Sequence, residues 1–117
     1  MWKDQMVRVS RPASDTITGA ESAPALATDG IACETYRSVG VTFTSVTATN
    51  YQLQVWVYDG TGWAQATDSA GDVIDIHGIT TTWAQTFDVA GFSRFAVIVS
   101  AGTGFGALTR QYSLSRY

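Results

Sequence analysis

The stretch YQLQVWVY at residues 51–58, followed by the DG pair at 59–60 and by WAQAT at 63–67, decides the fold class. Apolar and polar residues alternate along it, which is the period of a β-strand with one buried face. An Asp-Gly pair between two such runs is a strong hairpin signal. The stretch therefore predicts two antiparallel strands joined by a tight turn.

The same alternation recurs along most of the chain. It appears in VGVTFT at residues 39–44 and in RFAVIVS at 94–100, where β-branched residues suited to strands are abundant. Shorter candidate strands, separated by turn compositions, lie at residues 6–8, 63–67, 73–77, 80–88 and 108–115. About seven to nine short strands predict an all-β fold, an antiparallel β-sandwich of jelly-roll type.

Length and composition restrict the class of protein. A chain of 117 residues is expected to form a single domain. Cys33 is its one cysteine, which excludes an internal disulfide and fits a small buried side chain. No apolar run approaches the roughly 18–20 residues of a membrane helix, so no membrane partner is expected. A hydrophobic content of 45% opposes disorder.

Two segments differ in composition. Residues 1–29 contain both prolines and many small residues and are expected to form an extended N-terminal arm, whereas residues 30–117 form the β-sandwich domain. An extended arm of this length could reach about 90 Å, at about 3.3 Å per residue. It is either a frayed terminus or a segment that lies across a neighbouring subunit, anchored by Trp2, Met6 and Val7.

The hairpin after residue 58 sorts its side chains onto two faces if its loop has an even length. The face expected to enter the core carries Leu53, Val55, Val57, Ala64 and Ala66. The other face carries Gln52, Gln54, Trp56, Tyr58, Trp63, Gln65 and Thr67. A sheet face rich in aromatic and amide side chains usually marks a contact site.

Three interpretations of this second face remain open. Trp and Tyr are frequent anchors of protein–protein interfaces. The same side chains with flanking amides could stack on sugar rings, as in carbohydrate-binding modules. They could also be core aromatics beneath a covered sheet.

Charge is unevenly distributed along the chain. Residues 38–93 contain five aspartates and no Lys or Arg, whereas residues 94–117 contain three arginines and no acid. Opposite patches would suit contacts between copies, unless antiparallel folding mixes them. The net charge of −3 and the pI near 4.7 make nucleic acid a poor candidate partner.

A weak internal repeat relates TGWAQATDSAG at residues 61–71 to TTWAQTFDVAG at 81–91, with seven identities in eleven positions. Twenty residues correspond to about two strands and their turns, so the repeat predicts equivalent strands in the two halves of the sandwich. Chance or a local duplication explains it equally well.

No catalytic or metal-binding constellation is evident in the sequence. His77 follows Asp75, but no nucleophile elbow accompanies this pair. Asp68, Asp72 and Asp75 could gather around calcium, although their spacing fits no EF-hand and aspartates are common in turns. We therefore expect a protein without enzymatic activity, catalytic residues, metal or cofactor.

A small-residue arm, a Thr/Val/Ala-rich sandwich, scarce lysine and the closing stretch FDVAGFSRFAVIV at residues 87–99 resemble small structural proteins of tailed bacteriophage virions. Within this group the chain is most similar to capsid decoration (cement) proteins and to short fibre or tail accessory proteins. The resemblance covers residues 30–117. It implies a homo-oligomer, most often a trimer, that bridges coat subunits on the shell, in some cases through a terminal arm.

The resemblance implies a function in binding rather than catalysis. The expected role is that of a capsid decoration protein, made in the host cytoplasm, which binds the major capsid protein or another virion protein and stabilises the shell. The alternative is a carbohydrate-binding module. The residues expected to contact the partner are Trp2, Lys3, Arg8, Arg11, Trp56, Tyr58, Trp63 and Gln65.

Overall fold

The computed structural model describes residues 13–45, 50–103, 105 and 108–116. These residues form nine strands in two antiparallel sheets and contain no helix. The strands are β1 (Ala13–Ile17), β2 (Ile31–Ala32), β3 (Ser38–Ser45), β4 (Asn50–Tyr58), β5 (Trp63–Gln65), β6 (Asp75–Ile79), β7 (Trp83–Asp88), β8 (Arg94–Thr103) and β9 (Leu108–Ser115). The all-β prediction is confirmed.

The strand order places the first and last strands side by side. One sheet has the order β1-β9-β3-β7, and the other has the order β2-β8-β4 followed by β5 and β6. The strands β5 and β6 lie end to end along β4, because β5 pairs with residues 56–58 and β6 with residues 51–54.

The core lies between the inward faces of the central strands. Alternate residues of β3, β4 and β8 are fully buried, as the period of two predicts: Val39, Val41, Phe43, Tyr51, Leu53, Val55, Phe95, Val97 and Val99. Burying one such side chain stabilises the fold by about 1.5–3 kcal/mol. Cys33 is also fully buried, and this burial raises the pKa of its thiol to about 11.

The segment predicted to be an arm is part of the fold from residue 13 onward. Its strand β1 pairs with β9, from Ala13 opposite Tyr112 to Ile17 opposite Leu108. Residues 21–30 then run beside β8, where the Glu21 amide donates to the Val99 carbonyl at 2.7 Å. Small residues suit this path because they allow the backbone to lie close to the sheet. Residues 1–12 lie outside the described residues.

The two copies of the internal repeat share the same turn, but their tryptophans lie on opposite faces of their sheets relative to the core. In both copies the Ala amide donates to the Asp carboxylate two residues earlier, Ala70 to Asp68 and Ala90 to Asp88. The two strands are edge strands of different sheets. Trp63 lies on the outward face of its sheet, whereas Trp83 packs against the core.

The two long edges of the sandwich differ. We call the edge formed by β1, β2 and the outer side of β8 the closed edge, and the edge formed by β5, β6 and β7 the open edge. At the closed edge, Arg110 and Tyr112 of β9 and the segment at 21–30 line a cavity of about 600 Å³ that contains charged and polar groups. At the open edge, a crevice of about 490 Å³ is lined mostly by apolar side chains.

Candidate partner-binding surface

The hairpin that carries the candidate surface has a loop of even length, which is the condition for the predicted assignment of its two faces. Tyr58 pairs with Trp63 across a four-residue turn, and Trp56 pairs with Gln65. The Asp59 carboxylate shapes the turn by accepting hydrogen bonds from the Thr61 amide at 2.9 Å and hydroxyl at 2.8 Å and from the Gly62 amide at 3.0 Å. These bonds lower the pKa of Asp59 to about 2.

The register places four of the predicted contact residues together on the outward side of the sheet. We call Trp56, Tyr58, Trp63 and Gln65 the aromatic surface. Each of the four is half-buried. The rings of Tyr58 and Trp63 lie 5.3 Å apart between centroids, and the Trp56 indole donates to the Gln54 amide oxygen at 3.2 Å.

The chain itself covers part of this surface. The Trp63 indole N–H donates to the Leu26 carbonyl at 2.9 Å. Nearby, the Arg94 guanidinium donates to the carbonyls of Thr28, Asp29 and Gly30 at 2.7–3.1 Å. The loop at residues 25–30 is therefore fastened beside the aromatic surface. It presents Leu26, which is 64% exposed, next to Trp63.

This loop holds its own shape through Asp29. Its carboxylate accepts hydrogen bonds from the Leu26 amide at 2.8 Å and the Ala25 amide at 2.9 Å, and these bonds lower the pKa of Asp29. Sequence reasoning missed Leu26 and Arg94 as parts of the surface. The sequence signal that could have indicated an ordered loop here was the Asp-Gly turn composition at residues 29–30, directly before β2.

Part of the predicted core face was wrong. Leu53 and Val55 are fully buried, but Ala64 is exposed and Val57 and Ala66 are only half-buried. The face assignment itself holds, because Val57 pairs with Ala64. The difference arises because β5 is a three-residue edge strand, so the inward face of its side of the sheet lines the crevice of the open edge rather than the packed core.

The other predicted contact residues, Trp2, Lys3, Arg8 and Arg11, lie outside the described residues. The structure therefore places four of the eight predicted contact residues, and it brings those four together.

The polar clusters considered for chemistry make local contacts within their own strands and turns. The His77 imidazole lies 3.4 Å from the Asp75 carboxylate, which also accepts a hydrogen bond from Gln52, and His77 is 64% exposed. The Asp68 carboxylate accepts hydrogen bonds from the amides of Ala70 and Asp72 in its own turn. Over the part of the chain that the structure describes, no group of three or more His, Cys, Asp or Glu residues could hold a metal ion.

At the closed edge, Arg110 forms two ion pairs. The Arg110 guanidinium lies 2.6 Å from the Asp15 carboxylate and 2.7 Å from the Glu21 carboxylate, and it donates to the Val97 carbonyl at 2.9 Å. Burial opposes its charge, but the bonds to both carboxylates hold the pKa of Arg110 above its usual range. The Tyr112 hydroxyl accepts from the Val97 amide at 2.9 Å and donates to the Val97 carbonyl at 3.2 Å.

Among residues 13–45, 50–103, 105 and 108–116, no helix is long and apolar enough to cross a membrane.

Comparisons with known proteins relate this chain to others by its fold and not by its sequence. No protein-family model matches the sequence, and no curated protein matches it either. The chain is similar in structure to the SPBc2 prophage-derived protein YomS, with a TM-score of 0.53, 18% identity, and coverage of 93% of this chain and 98% of that chain. At this identity the likeness shows that the two chains share a fold over nearly their whole lengths.

Proposed function

We propose that this chain is a non-enzymatic structural protein of a bacteriophage virion, a capsid decoration (cement) protein that binds and stabilises the coat-protein shell. The observation that carries the proposal is the aromatic surface. Trp56, Tyr58, Trp63 and Gln65 stand together on the outward face of a sheet, half-exposed, instead of the Thr, Lys and Glu that usually face solvent there.

The chemistry of this surface suits a protein partner. Trp and Tyr give large, rigid contact areas and dominate the energetics of many interfaces. The exposed side chain of Leu26 extends the surface beside Trp63, and the Gln65 amide supplies a donor and an acceptor at its border. Together these residues form an apolar patch with an amide at its border, a composition that suits a recognition site.

The fold supports the same proposal. Counting β5 and β6 as one edge position leaves eight positions, ordered 1-8-3-6 in one sheet and 2-7-4-5 in the other. We interpret this order as a jelly roll, an architecture of viral capsid domains. The shared fold with a protein named as prophage-derived also supports a phage origin. The proposal adds synthesis in a host cytoplasm and a final location on the capsid surface.

The proposal includes a homotrimer, with the major capsid protein or another virion protein as the partner and without a cofactor, nucleic acid or membrane. Edge strands with free backbone groups favour pairing with another chain. Light scattering of the purified chain is expected to give three times the chain mass of 12.5 kDa. A mass equal to one chain at high concentration would contradict the trimer.

Capsid binding tests the central claim. Purified protein is mixed at increasing concentration with empty capsids assembled from the coat protein of the phage that encodes it, and the bound fraction is measured by co-sedimentation. We expect saturable binding that Trp63→Ala weakens at least tenfold. Gln111→Ala is the matched control, because this exposed residue lies on β9 in the other sheet. Equal binding by both variants would exclude the aromatic surface as the contact.

A carbohydrate-binding module is the second candidate. The observation that favours it is the pair of Tyr58 and Trp63 rings, 5.3 Å apart, with the Gln65 amide on the same face. Sugar binding on a glycan array that Trp63→Ala abolishes, together with no binding to capsids, would support this candidate over the first.

A further inference from the structure

The indole N–H groups of the aromatic surface are already used within the chain. The Trp63 indole donates to the Leu26 carbonyl at 2.9 Å, and the Trp56 indole donates to the Gln54 amide oxygen at 3.2 Å. What these two half-buried side chains still offer a partner is the exposed part of their rings. The face of an aromatic ring is negative and attracts cations, and the Trp ring does so most strongly.

Two carboxylates lie beside the ring pair formed by Tyr58 and Trp63. The Asp59 carboxylate caps the turn between these two residues. The Asp29 carboxylate binds the Leu26 amide, in the loop whose Leu26 carbonyl accepts the Trp63 indole. Backbone hydrogen bonds lower the pKa of both carboxyl groups, so both are ionised at neutral pH. Negative charge therefore borders the ring pair at the turn and at the loop.

A third carboxylate lies farther along the same face of the sheet. Asp75 of β6 pairs with Gln54 of β4, and cross-strand partners point to the same side of a sheet. Its carboxylate accepts a hydrogen bond from the Gln52 amide at 3.1 Å. The strands β4, β5 and β6 all lie in the stretch 38–93, which contains no Lys or Arg. These three strands therefore contribute no cation to the face.

Of the arginines that the structure describes, one lies on this face. Arg94, opposite the end of β4, donates to the carbonyls of residues 28–30. Arg110 is paired with carboxylates at the closed edge, and Arg37 and Arg116 flank β3 and β9 of the other sheet. One guanidinium thus stands against three carboxylates around the aromatic surface. A partner that is positively charged at the contact complements this balance.

The cavity at the closed edge offers a cation less. Its lining also contains carboxylates, and Asp29 borders both sites. However, the carboxylates of Asp15 and Glu21 already lie 2.6 and 2.7 Å from the Arg110 guanidinium. A basic side chain of a partner would have to displace Arg110 there, whereas the rings of the aromatic surface hold no cation of their own in the described part of the chain.

We infer that the aromatic surface binds a segment of the partner protein that presents an arginine or lysine side chain to the rings of Tyr58 and Trp63. Their centroids lie 5.3 Å apart, and their planes are inclined by 46°. A cation interacts with a ring when it lies within about 6 Å of the centroid, so one cation can contact both rings. The inference rests on the proposed function and deepens it, because it names the chemistry of the contact on the partner.

Peptide titration of the full chain tests the inference without capsids. A short peptide with two arginines is compared with the same peptide carrying two citrullines, which keep the planar shape and N–H donors of arginine but lack its charge. We expect the arginine peptide to bind about tenfold more tightly, and its affinity to fall as the salt concentration rises from about 50 to about 500 mM. In ¹H–¹⁵N spectra, the indole signals of Trp56 and Trp63 should shift, whereas that of Trp83, which packs against the core, should not.

Two matched variants sharpen the test. Asp59 and Asp88 are both exposed, and both accept backbone amides in a turn, but Asp88 ends β7 in the other sheet. Each substitution by Asn removes one negative charge and keeps an oxygen acceptor. Asp59→Asn should weaken binding of the arginine peptide about threefold, and Asp88→Asn should leave it unchanged.

The outcomes separate this inference from the proposed function. Equal affinity for the two peptides, equal effects of the two variants, or spectral shifts centred on the closed edge would each overturn the inference. Capsid binding is measured separately. A chain that binds capsids but does not distinguish the peptides would overturn the inference alone, whereas a chain that distinguishes the peptides but binds no capsids would overturn the proposed function alone.

Discussion

The closed edge and the open edge of the same sandwich are completed by different chemistry. At the closed edge, Arg110 and Tyr112 of β9 bind the backbone of Val97, and Glu21 binds the backbone of Val99. At the open edge, an apolar crevice lies beside β5 and β7. The closed edge is held by polar contacts within the chain, whereas apolar side chains line the open edge. Mutations at the two edges should therefore differ in their effect on the isolated chain.

The largest expected difference concerns two glycines with nearly the same backbone conformation. Gly30 at the closed edge has φ +66° and Gly78 at the open edge has φ +68°. A Cβ at Gly30 would lie 2.5 Å from the Phe95 carbonyl oxygen, but a Cβ at Gly78 would meet nothing within 4 Å. Gly30→Ala should lower the free energy of unfolding by about 3–4 kcal/mol, because overpacking adds to left-handed strain, and Gly78→Ala by about 1 kcal/mol.

Urea denaturation of both variants measures this difference. Equal losses would mean that the backbone at residue 30 relaxes away from β8, and the closed edge would then be no tighter than the open one.

The next expected effect concerns the ion pairs at the closed edge. Arg110→Met removes the bonds to Asp15, Glu21 and the Val97 carbonyl, and should lower the free energy of unfolding by about 2–3 kcal/mol. Arg116→Met is the control, since Arg116 is exposed and stacks on Tyr36 with 4.7 Å between its guanidinium carbon and the ring centroid. It should change stability by less than about 0.5 kcal/mol. Equal midpoints in chemical denaturation would contradict a structural role for the Arg110 contacts.

A smaller effect is expected from Tyr112→Phe, which leaves the Val97 amide without its hydroxyl partner and should cost about 1 kcal/mol. Burial raises the pKa of the Tyr112 phenol to about 12, although Arg110 opposes this rise. The unfolded chain therefore loses this proton near pH 10, before the folded chain does. The free energy of unfolding should fall between pH 10 and 12 in the parent chain.

The same fall should be weaker in Tyr112→Phe. Absorbance titration at 295 nm checks the assignment, because the variant should lack one tyrosine that ionises near pH 12. If as many tyrosines ionised near pH 12 in the variant as in the parent chain, the assignment of this pKa to Tyr112 would be contradicted.

The smallest effect is expected at the turn before the open edge. The hydrogen bonds of Asp59 lower its pKa to about 2, so the stabilisation that they give is complete above pH 4 and is lost as the pH falls toward 2. Asp59→Asn should lower the thermal midpoint slightly at pH 7 and not at pH 2. If the thermal midpoints of the variant and the parent chain differed by the same amount at pH 2 as at pH 7, the stabilisation would not come from the ionised Asp59 carboxylate.

The sequence allowed local parts of the fold to be predicted better than distant ones. The all-β class followed from the period of two, and the sorting of β4 and β5 side chains onto two faces followed from an even-length turn at Asp59, because both are properties of neighbouring residues. The contacts of Arg110 with Asp15 and Glu21 join residues 95 and 89 positions apart, and no local pattern indicates them.

The repeat shows a second limit of sequence reasoning. Trp63 and Trp83 begin the same Trp-Ala-Gln tripeptide, yet Trp63 lies on the outward face and Trp83 packs against Phe43 and Phe87. Which face a tryptophan takes is set by the register with the neighbouring strand, and a tripeptide does not contain this information. The candidate site was therefore predictable at the hairpin, where an even-length loop fixes which side chains share a face, and not at Leu26 and Arg94.

The pairing of β1 with β9 has a mechanical consequence. Ala13 and Ser115 mark the same end of these antiparallel neighbours, so a load applied between them would peel the strands apart one hydrogen bond at a time instead of shearing the whole ladder. The two hydrogen bonds from Arg110 to the Asp15 carboxylate, midway along β1, would then be the first side-chain contacts to resist this separation. A molecule pulled through its amino-terminal segment would yield in steps and could recover its pairing when the load is released.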